Sequence, residues 1–338
     1  MKRPVRIGIA GLGRLGRRHA EQLAVRTAGA QLVSACSPVD TELAWARDTL
    51  GVATLHQNFS AFVQDPQLDA VVLVTPTTLH AEQTIAALEA GKHVFVEKPL
   101  SLDVASCEQV EAVARRHPER VAMVGFMRRF DPSYARAHAD IEAGAIGRPF
   151  LVRSQTCDKH DPDGFFMRFA PTSGGIFMDC SVHDIDIARW MLGNPKATRV
   201  FATGTIALHP PLADFGDVDN GLAIVEFEGG ARALFYASRT MAHGHETTTE
   251  VIGTAGTISV GVGAHRDRVQ VRDAQGVHHG VLADFFERFG AAFERELDAF
   301  VAACTGSAAS GSLADATEAT RIGQAITRSL HSGRVEPV

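Results

Sequence analysis

The sequence lacks the uncharged apolar run of about 20 residues that a membrane-spanning helix requires. Its first residues pass from a few charges directly into a strand pattern, without the apolar core and cleavage site of a signal peptide. Acidic residues outnumber basic ones, 39 to 33, so no excess of positive charge is available for a nucleic acid or an anionic membrane surface. We therefore expect a cytoplasmic protein whose partner is a small molecule, with no nucleic acid and no membrane.

The cysteines are few and have no recurring spacing. There are five, none in a C-x-x-C pair: Cys36, Cys107, Cys157, Cys180 and Cys304. An odd, scattered set argues against a disulfide framework and against a structural zinc site, so we interpret them as reduced thiols. The tightest group of metal-ligating residue types is His243, His245 and Glu246. Because this group adjoins hairpin signals, we interpret it as a loop or the rim of a substrate site, and we predict no metal.

A glycine-rich turn follows the first predicted strand. Residues 5–10 form a short apolar strand, residues 11–16 read G-x-G-x-x-G, and a helical pattern begins directly after them. In this context Gly11 permits the tight turn, Gly13 lets the backbone approach a pyrophosphate, and Gly16 lets the helix pack closely on the strand. The helix N-terminus then faces the phosphates. We predict a dinucleotide-binding turn here rather than a purely structural one.

The end of the second predicted strand leaves the choice of dinucleotide open. An acid at this point accepts hydrogen bonds from the ribose hydroxyls of NAD, whereas an arginine accommodates the 2′-phosphate of NADP. Here the strand over residues 31–36 runs into Ser37 and Pro38, and Arg14 in the glycine turn is the nearest obvious cation by sequence. We predict NAD with weak discrimination, so NADP is not excluded.

Two further strand ends carry polar residues. They follow the apolar strands over residues 68–74 and 94–96 and are, in order, Thr75, Pro76, His80, Glu97, Lys98 and Pro99. In an open parallel sheet, ligands bind beyond the carboxyl ends of the strands, so Lys98 would present its ammonium group to that crevice, with Glu97 available to orient it. Taken alone, these residues are better explained as a surface Glu-Lys doublet before a turn proline, because a motif this short often occurs by chance.

The order of predicted elements divides the 338-residue chain into two domains. Strands and helices alternate up to residue 125, which is typical of a doubly wound parallel sheet, and short strands separated by glycine pairs follow, which is typical of an antiparallel one. We predict an α/β protein with a Rossmann domain over residues 1–125. A second α/β domain over residues 126–338 is built on a largely antiparallel open sheet. A small-residue loop over residues 305–312 separates the last two helices of this second domain. These helices can fold back and pack on the first domain.

A second group of polar residues lies in the segment over residues 172–193. Glycines open this segment, and apolar residues at helical spacing run through it. If it is one helix, Asp179 and His183 are four residues apart on one face, so the carboxylate can orient the imidazole of a general acid or base. The alternative is a helix whose first-turn acid favours the helix dipole and whose histidine is a satisfied core residue.

Taken in order along nearly the whole chain, these residues resemble the Gfo/Idh/MocA family of oxidoreductases. Residues 125–131 and 285–300 are similar to the inositol 2-dehydrogenases of that family. The resemblance implies NAD(P)-dependent oxidation of a secondary hydroxyl of a cyclitol or sugar, with myo- or scyllo-inositol the best choice, by hydride transfer to nicotinamide. It also implies a homo-oligomer, a tetramer or dimer, that assembles through the open sheet of the second domain.

The same resemblance implies roles for individual residues. The implied catalytic set is Lys98, Asp179 and His183, with His183 as general base. The substrate contacts assigned on this basis are Lys98, Met127, Arg128, Asp158, Asp179, His183 and Tyr236. The cofactor contacts are Gly11, Gly13, Arg14, Leu15, Gly16, Ser37, Thr75, Pro76, His80, Glu97 and Lys98. A cis peptide bond is implied between Lys98 and Pro99.

Other functions fit parts of the same pattern. A dehydrogenase acting on an aldose or another sugar, or a glycosidase that uses transient oxidation, would carry the same turn and the same proton-transfer residues. A non-catalytic sensor that binds a dinucleotide would share the fold, because fold does not imply function. The sensor would have no use for Lys98, Asp179 and His183 together, which favours an enzyme.

Overall fold

The computed structural model describes residues 3–263, 265–307 and 312–338, so the loop predicted over residues 305–312 lies partly outside them. It divides into two compact units, one formed by residues 1–130 with 291–320 and the other by residues 131–290 with 321–338. Two helices near the C-terminus therefore contribute residues to both units. Among the described residues, none of the helices combines the length and the apolar character needed to cross a bilayer.

The first unit is built on a parallel sheet. Its elements are β1 (Val5–Ala10), α1 (Arg14–Val25), β2 (Ala30–Cys36), α2 (Asp40–Leu50), β3 (Thr54–His56), α3 (Phe59–Val63), β4 (Ala70–Leu73), α4 (Thr77–Glu89), β5 (His93–Glu97), α5 (Val104–Arg116) and β6 (Ala122–Gly125). The strand order is β3-β2-β1-β4-β5-β6. Strand order reverses between β1 and β4, which is the point where doubly wound sheets bind dinucleotides. The apolar strands β1 and β4 are buried there because both faces of the sheet are covered.

The second unit is built on a mixed sheet. The elements after β6 are α6 (Pro132–Glu142), β7 (Pro149–Lys159), α7 (Phe165–Phe169), α8 (Ile176–Asp179), α9 (Ser181–Met191), β8 (Ala197–Thr205), β9 (Asn220–Phe227), β10 (Arg232–Met241), β11 (Glu246–Gly253), β12 (Thr257–Val260), β13 (His265–Asp273), β14 (Gly276–Val281), α10 (Phe285–Cys304), α11 (Leu313–Ser332) and β15 (Glu336–Pro337). The sheet order is β12-β11-β7-β10-β9-β8-β15, and only β7 and β10 run parallel among its described pairs. The predicted fold class is confirmed.

Three local features differ from the expectation. The segment over residues 172–193 is not one helix, because α8 ends at Asp179 and α9 begins at Ser181, with Cys180 between them. Strand β3 was not predicted, since its three residues form no apolar run. The hairpin of β13 and β14 was also not predicted, because it is largely exposed and its sequence mixes polar residues with single valines.

Candidate functional site

The glycine turn after β1 has the shape that a dinucleotide needs. Gly11 has a φ of 89°, and a Cβ there would lie 2.4 Å from the carbonyl oxygen of Val74. A Cβ on Gly16 would lie 2.0 Å from the carbonyl oxygen of Gly11, so the helix packs too closely for any side chain. A Cβ on Gly13 would meet nothing within 4 Å. The two outer glycines are thus required by the protein itself, whereas the open space at Gly13 fits a bound group.

The N-terminus of α1 is available to an anion at this turn. The helix begins at Arg14. Its N-cap residue, Gly13, has no side chain that could accept hydrogen bonds from the first N–H groups of the helix. No acidic residue stands in its first turn. A helix N-terminus with open N–H groups and a positive dipole end binds phosphate well. The turn therefore fits the pyrophosphate of a dinucleotide, and the contacts assigned to Gly13, Arg14 and Leu15 stay a prediction.

A carboxylate that the sequence analysis missed lies beside the end of β2. The Oγ of Ser37 donates to Oε2 of Glu42 at 2.5 Å and accepts from the backbone N–H of Val39 at 3.1 Å. Ser37 is only 1% exposed, and the preceding residue, Cys36, accepts a backbone hydrogen bond from Gly11 at 2.9 Å. A carboxylate in the first turn of α2 thus lies beside the strand end, which has no acid of its own.

His80 connects two of the predicted cofactor loops. Its Nδ1 lies 2.8 Å from the carbonyl oxygen of Pro99, and its Nε2 lies 2.8 Å from the carbonyl oxygen of Thr75. The ring is buried, and this burial lowers the pKa of His80. The Thr75 hydroxyl donates to Gln83 at 2.6 Å. His80 therefore fixes the loop that contains Pro76 against the Glu97-Lys98-Pro99 segment. The implied cis peptide bond between Lys98 and Pro99 is present.

Glu97 at the end of β5 is fixed by two donors. Its Oε1 accepts from Nε2 of His19 in α1 at 2.7 Å, and its Oε2 accepts from the backbone N–H of Lys98 at 3.1 Å. Both side chains are buried. Glu97 thus bonds to the backbone of Lys98, and the expectation that it orients the Lys98 ammonium group stays a prediction.

In the second unit, one arginine joins two of the predicted substrate residues. Arg239 of β10 forms an ion pair with Asp179 and lies 3.5 Å from Oδ2 of Asp158. Its guanidinium also lies 4.3 Å from the centre of the Phe166 ring. Nδ1 of His245 donates to Oδ1 of Asp158 at 3.0 Å. The structure therefore brings Asp158 and Asp179 together around a largely buried cation that the sequence analysis did not identify.

The short helices that carry Asp179 and His183 are fixed by two buried carboxylates. Asp217 accepts from the backbone N–H of Ile176 at 3.0 Å and so holds the start of α8. Burial raises the pKa of Asp217. Asp184 in α9 accepts from the hydroxyls of Ser154 and Thr156 in β7, at 2.7 Å each. These bonds fasten α9 to the sheet at the residue next to His183, which is itself buried.

Tyr236 stands apart from the other predicted substrate residues. In β10, Phe235 and Ala237 pair with Ser154 and Thr156, the residues that bond to α9, while Tyr236 alternates to the other face of the sheet. Its hydroxyl donates to Asn220 at 2.8 Å. The strand thus directs Arg239 toward α8 and Tyr236 away from it. The substrate contact assigned to Tyr236 stays a prediction.

Met127 and Arg128 lie in a short 3-10 helix of the first unit, directly after β6. Both side chains are buried, and Arg128 is 1% exposed. Arg129, the next residue, forms an ion pair with Asp315 of α11 at 3.0 Å. The substrate contacts assigned to Met127 and Arg128 stay a prediction, because burial of this depth is equally suited to a structural role.

Comparisons with known proteins match both units. Residues 5–126 match the oxidoreductase family with an NAD-binding Rossmann fold, and residues 134–259 match the GFO/IDH/MocA C-terminal domain. The scyllo-inositol 2-dehydrogenase (NAD(+)) of Bacillus subtilis is 40% identical over 98% of this chain and 96% of its own. The myo-inositol 2-dehydrogenase of Thermotoga maritima is 33% identical over 88% and 87%. The crystal structure of scyllo-inositol dehydrogenase from Lactobacillus casei, with bound NAD(H) and scyllo-inositol, superposes with a TM-score of 0.95 at 36% identity, covering 99% of each chain.

Proposed function

Because the chain belongs to the Gfo/Idh/MocA family of NAD-binding oxidoreductases, we propose that it oxidises a secondary hydroxyl of scyllo- or myo-inositol to the ketone. Relatives that match nearly its whole length are named inositol 2-dehydrogenases. The observation that carries the proposal is the ion pair of Asp179 with Arg239 beside the start of α9, the helix that carries the candidate base His183. A dinucleotide sensor does not need a proton-transfer residue there. NAD is the proposed cofactor, since the glycine turn fits a pyrophosphate and Glu42 supplies a carboxylate near the ribose position.

In this mechanism His183 removes the proton of the substrate hydroxyl. Lys98 offers positive charge to the alkoxide as it develops, and Asp179 stabilises the imidazolium that forms. When NAD is bound, its nicotinamide accepts the hydride from the substrate carbon. Arg239 keeps the Asp179 carboxylate in one orientation, and Asp184 keeps α9 and therefore His183 in register with the sheet. The proposal requires that Lys98 and His183 serve the same substrate.

The decisive experiment compares turnover with binding. Initial rates with scyllo-inositol, myo-inositol and an aldose, each with NAD and NADP, should show reduction of NAD that depends on an inositol. His183→Ala should lower kcat by roughly 10²–10⁴-fold, the usual worth of positioned proton transfer, while NADH affinity stays unchanged. His138→Ala is the matched control, because His138 stacks on Trp190 at 3.9 Å and should affect stability without affecting kcat.

Each alternative predicts a different result in the same experiment. A sensor would bind NADH without turnover on any polyol. An aldose dehydrogenase would reduce NAD with the aldose and not with inositols. If His183→Ala lowers the melting temperature but turns over like the wild type, His183 is a structural residue and the catalytic assignment is wrong.

A homo-oligomer formed through the second unit's sheet is part of the proposal. The face of the sheet that carries Tyr236 also presents Phe201, Leu222, Ile224 and Leu234, which are 39%, 46%, 44% and 37% exposed. Large apolar side chains grouped in this way mark interaction surfaces. Ile224→Asp should shift the mass measured by light scattering toward that of a monomer. The cytoplasm is the proposed compartment, which is supported by cysteines that are all free thiols.

A further inference from the structure

Glu296 in α10 is a buried carboxyl group that makes no hydrogen bond with the part of the chain that the structure describes. It is 0% exposed, and neither of its carboxyl oxygens has a hydrogen-bond partner among the described residues. The residues that follow it on the helix, Leu297, Phe300 and Val301, belong to the apolar core of the first unit. Transfer of an ionised, unpaired carboxylate into such a place carries a large penalty, which a group of this kind avoids by remaining neutral. The position therefore requires a physical explanation.

The neighbours of Glu296 make ionisation harder still. The ligating atoms of Glu296, Glu97 and His19 all lie within 4.8 Å of one another. Glu97 already occupies Nε2 of His19 at 2.7 Å, and the His19 ring is enclosed by the rings of Phe95 and Phe293, each 5.7 Å away. Two carboxylates at this separation in an apolar enclosure do not both ionise readily. Burial and the charge of Glu97 raise the pKa of Glu296 well above its ordinary value.

We propose that Glu296 is a positioning residue that stays protonated at neutral pH, so that Glu97 is the single anion of this buried group. A neutral Glu296 leaves the Glu97 carboxylate bonded to His19 and to the backbone N–H of Lys98. An ionised Glu296 would repel Glu97 and disturb the residue that precedes Lys98. The link to catalysis rests on the proposed function, because Lys98 is catalytic only there. The protonation state itself does not depend on it.

A bound cation is the rival explanation for the same three side chains. One imidazole and two carboxylates are ligands that Zn²⁺ accepts. Against this, His19 and Glu97 are directly hydrogen-bonded at 2.7 Å, whereas ligands of one ion would direct those two atoms at the metal. A proton removes the charge of Glu296 without breaking that bond.

Infrared spectroscopy of the protein without dinucleotide tests the protonation state directly. The wild type at pH 7 should show the carbonyl band of a buried protonated carboxyl group, and Glu296→Gln should lose it. Glu294→Gln is the matched control on the same helix, because Glu294 is partly exposed and paired with Arg26. The band should also disappear from the wild type at alkaline pH, a test that needs no variant. Absence of the band at pH 7, or one equivalent of metal in the purified protein, would overturn the proposal.

Kinetics separates a positioning role from a merely structural one. Glu296→Ala should lower kcat, and Glu296→Gln should restore most of that loss, because the amide reproduces the neutral acid in shape and charge. The wild type should lose kcat/KM at alkaline pH, and Glu296→Gln should not. If the Gln and Ala variants lose activity equally, a negative charge is needed at this position and the proposal is wrong. If no inositol is oxidised at all, the proposed function fails while the infrared result still decides the state of Glu296.

Discussion

Replacing Gly13 with alanine separates the space that the protein leaves for a ligand from the space it needs to fold. Gly13 has a φ of −66° and a ψ of −164°, a conformation that any L residue adopts. A Cβ there meets nothing within 4 Å. For a compatible glycine, substitution by alanine changes the free energy of unfolding by less than about 1 kcal/mol. The melting temperature of Gly13→Ala should therefore stay close to that of the wild type.

The same methyl group should weaken dinucleotide binding. It would occupy the place where the pyrophosphate approaches the start of α1, so at least one hydrogen bond from a backbone N–H to a phosphate oxygen would be lost. A hydrogen bond to a charged group contributes roughly 1.5–3 kcal/mol, which corresponds to about 10- to 150-fold in Kd. Titration calorimetry with NADH, together with a thermal melt, measures both quantities on one sample.

Two further glycine variants serve as controls. Gly290→Ala adds a methyl group that also meets nothing within 4 Å, at a helix residue of the second unit. It should leave NADH affinity unchanged and raise the melting temperature slightly, because alanine favours a helix more than glycine does. Gly16→Ala forces a Cβ to 2.0 Å from the carbonyl oxygen of Gly11, so it should lower the melting temperature as well as the affinity. If Gly13→Ala unfolds easily while it binds NADH like the wild type, the open space at Gly13 has been misinterpreted.

Three further predictions concern charge. Glu42→Gln should raise the ratio of kcat/KM for NADP to that for NAD by roughly tenfold, since a carboxylate repels the 2′-phosphate. Ser37→Asp should lower this ratio. If the ratio is unchanged in both variants, Glu42 has no role in recognising the ribose. Arg239→Lys should lower kcat/KM for inositol more than about tenfold at constant NADH affinity, because one ammonium cannot hold both carboxylates as a guanidinium does; equal kinetics would show that the ion pair is dispensable. The pKa of Glu296 in the folded protein is raised above its ordinary value of 4.5. The contribution of the neutral group to the free energy of unfolding is therefore fully present below pH 4.5 and declines as the pH rises toward the folded-state pKa. In chemical denaturation, the free energy of unfolding of Glu296→Gln should therefore increase relative to that of the wild type by about 1.4 kcal/mol per pH unit in that window. If the difference between the two proteins does not depend on pH, the protonation assigned to Glu296 is wrong.

The dinucleotide turn could be predicted because its requirements are local. Gly11, Gly13 and Gly16 act within a few residues of one another, and the flanking strand and helix are visible in the same short segment. Glu42 was missed because it lies outside the short segment in which these local signals occur. The sequence analysis looked for an acid at the strand end, whereas the carboxylate arrives from the next helix by a hydrogen bond to Ser37. An acid in the first turn of the helix after the second strand is the signal that could have revealed it.

In the second unit, the face of the sheet on which each predicted residue lies depends on register, and the substrate contact of Tyr236 stays a prediction. Strand residues alternate between faces, so a difference of one position changes the face. Tyr236 and Arg239 are three residues apart and therefore lie on opposite faces, a distinction that requires the pairing of β10 with β7. Arg239 and Asp217 act on α8 from 60 and 41 residues away in sequence. No periodicity connects residues so far apart, which is why the group around Asp179 could be predicted only in part.

The two units compensate their carboxylates, fully buried in the first unit and only partly buried in the second, by different physical means, and this difference predicts how each site responds to its surroundings. Around Asp158 and Asp179 the compensation is a fixed cation, Arg239, whose charge does not change over the working pH range of an enzyme. Around Glu97 the compensation that we infer is a proton on Glu296, and this proton is lost at alkaline pH. Salt should affect both only weakly, because buried charges are poorly screened. Loss of activity at alkaline pH should therefore originate in the first unit, where Glu296→Gln should prevent it, and not in the group around Asp179.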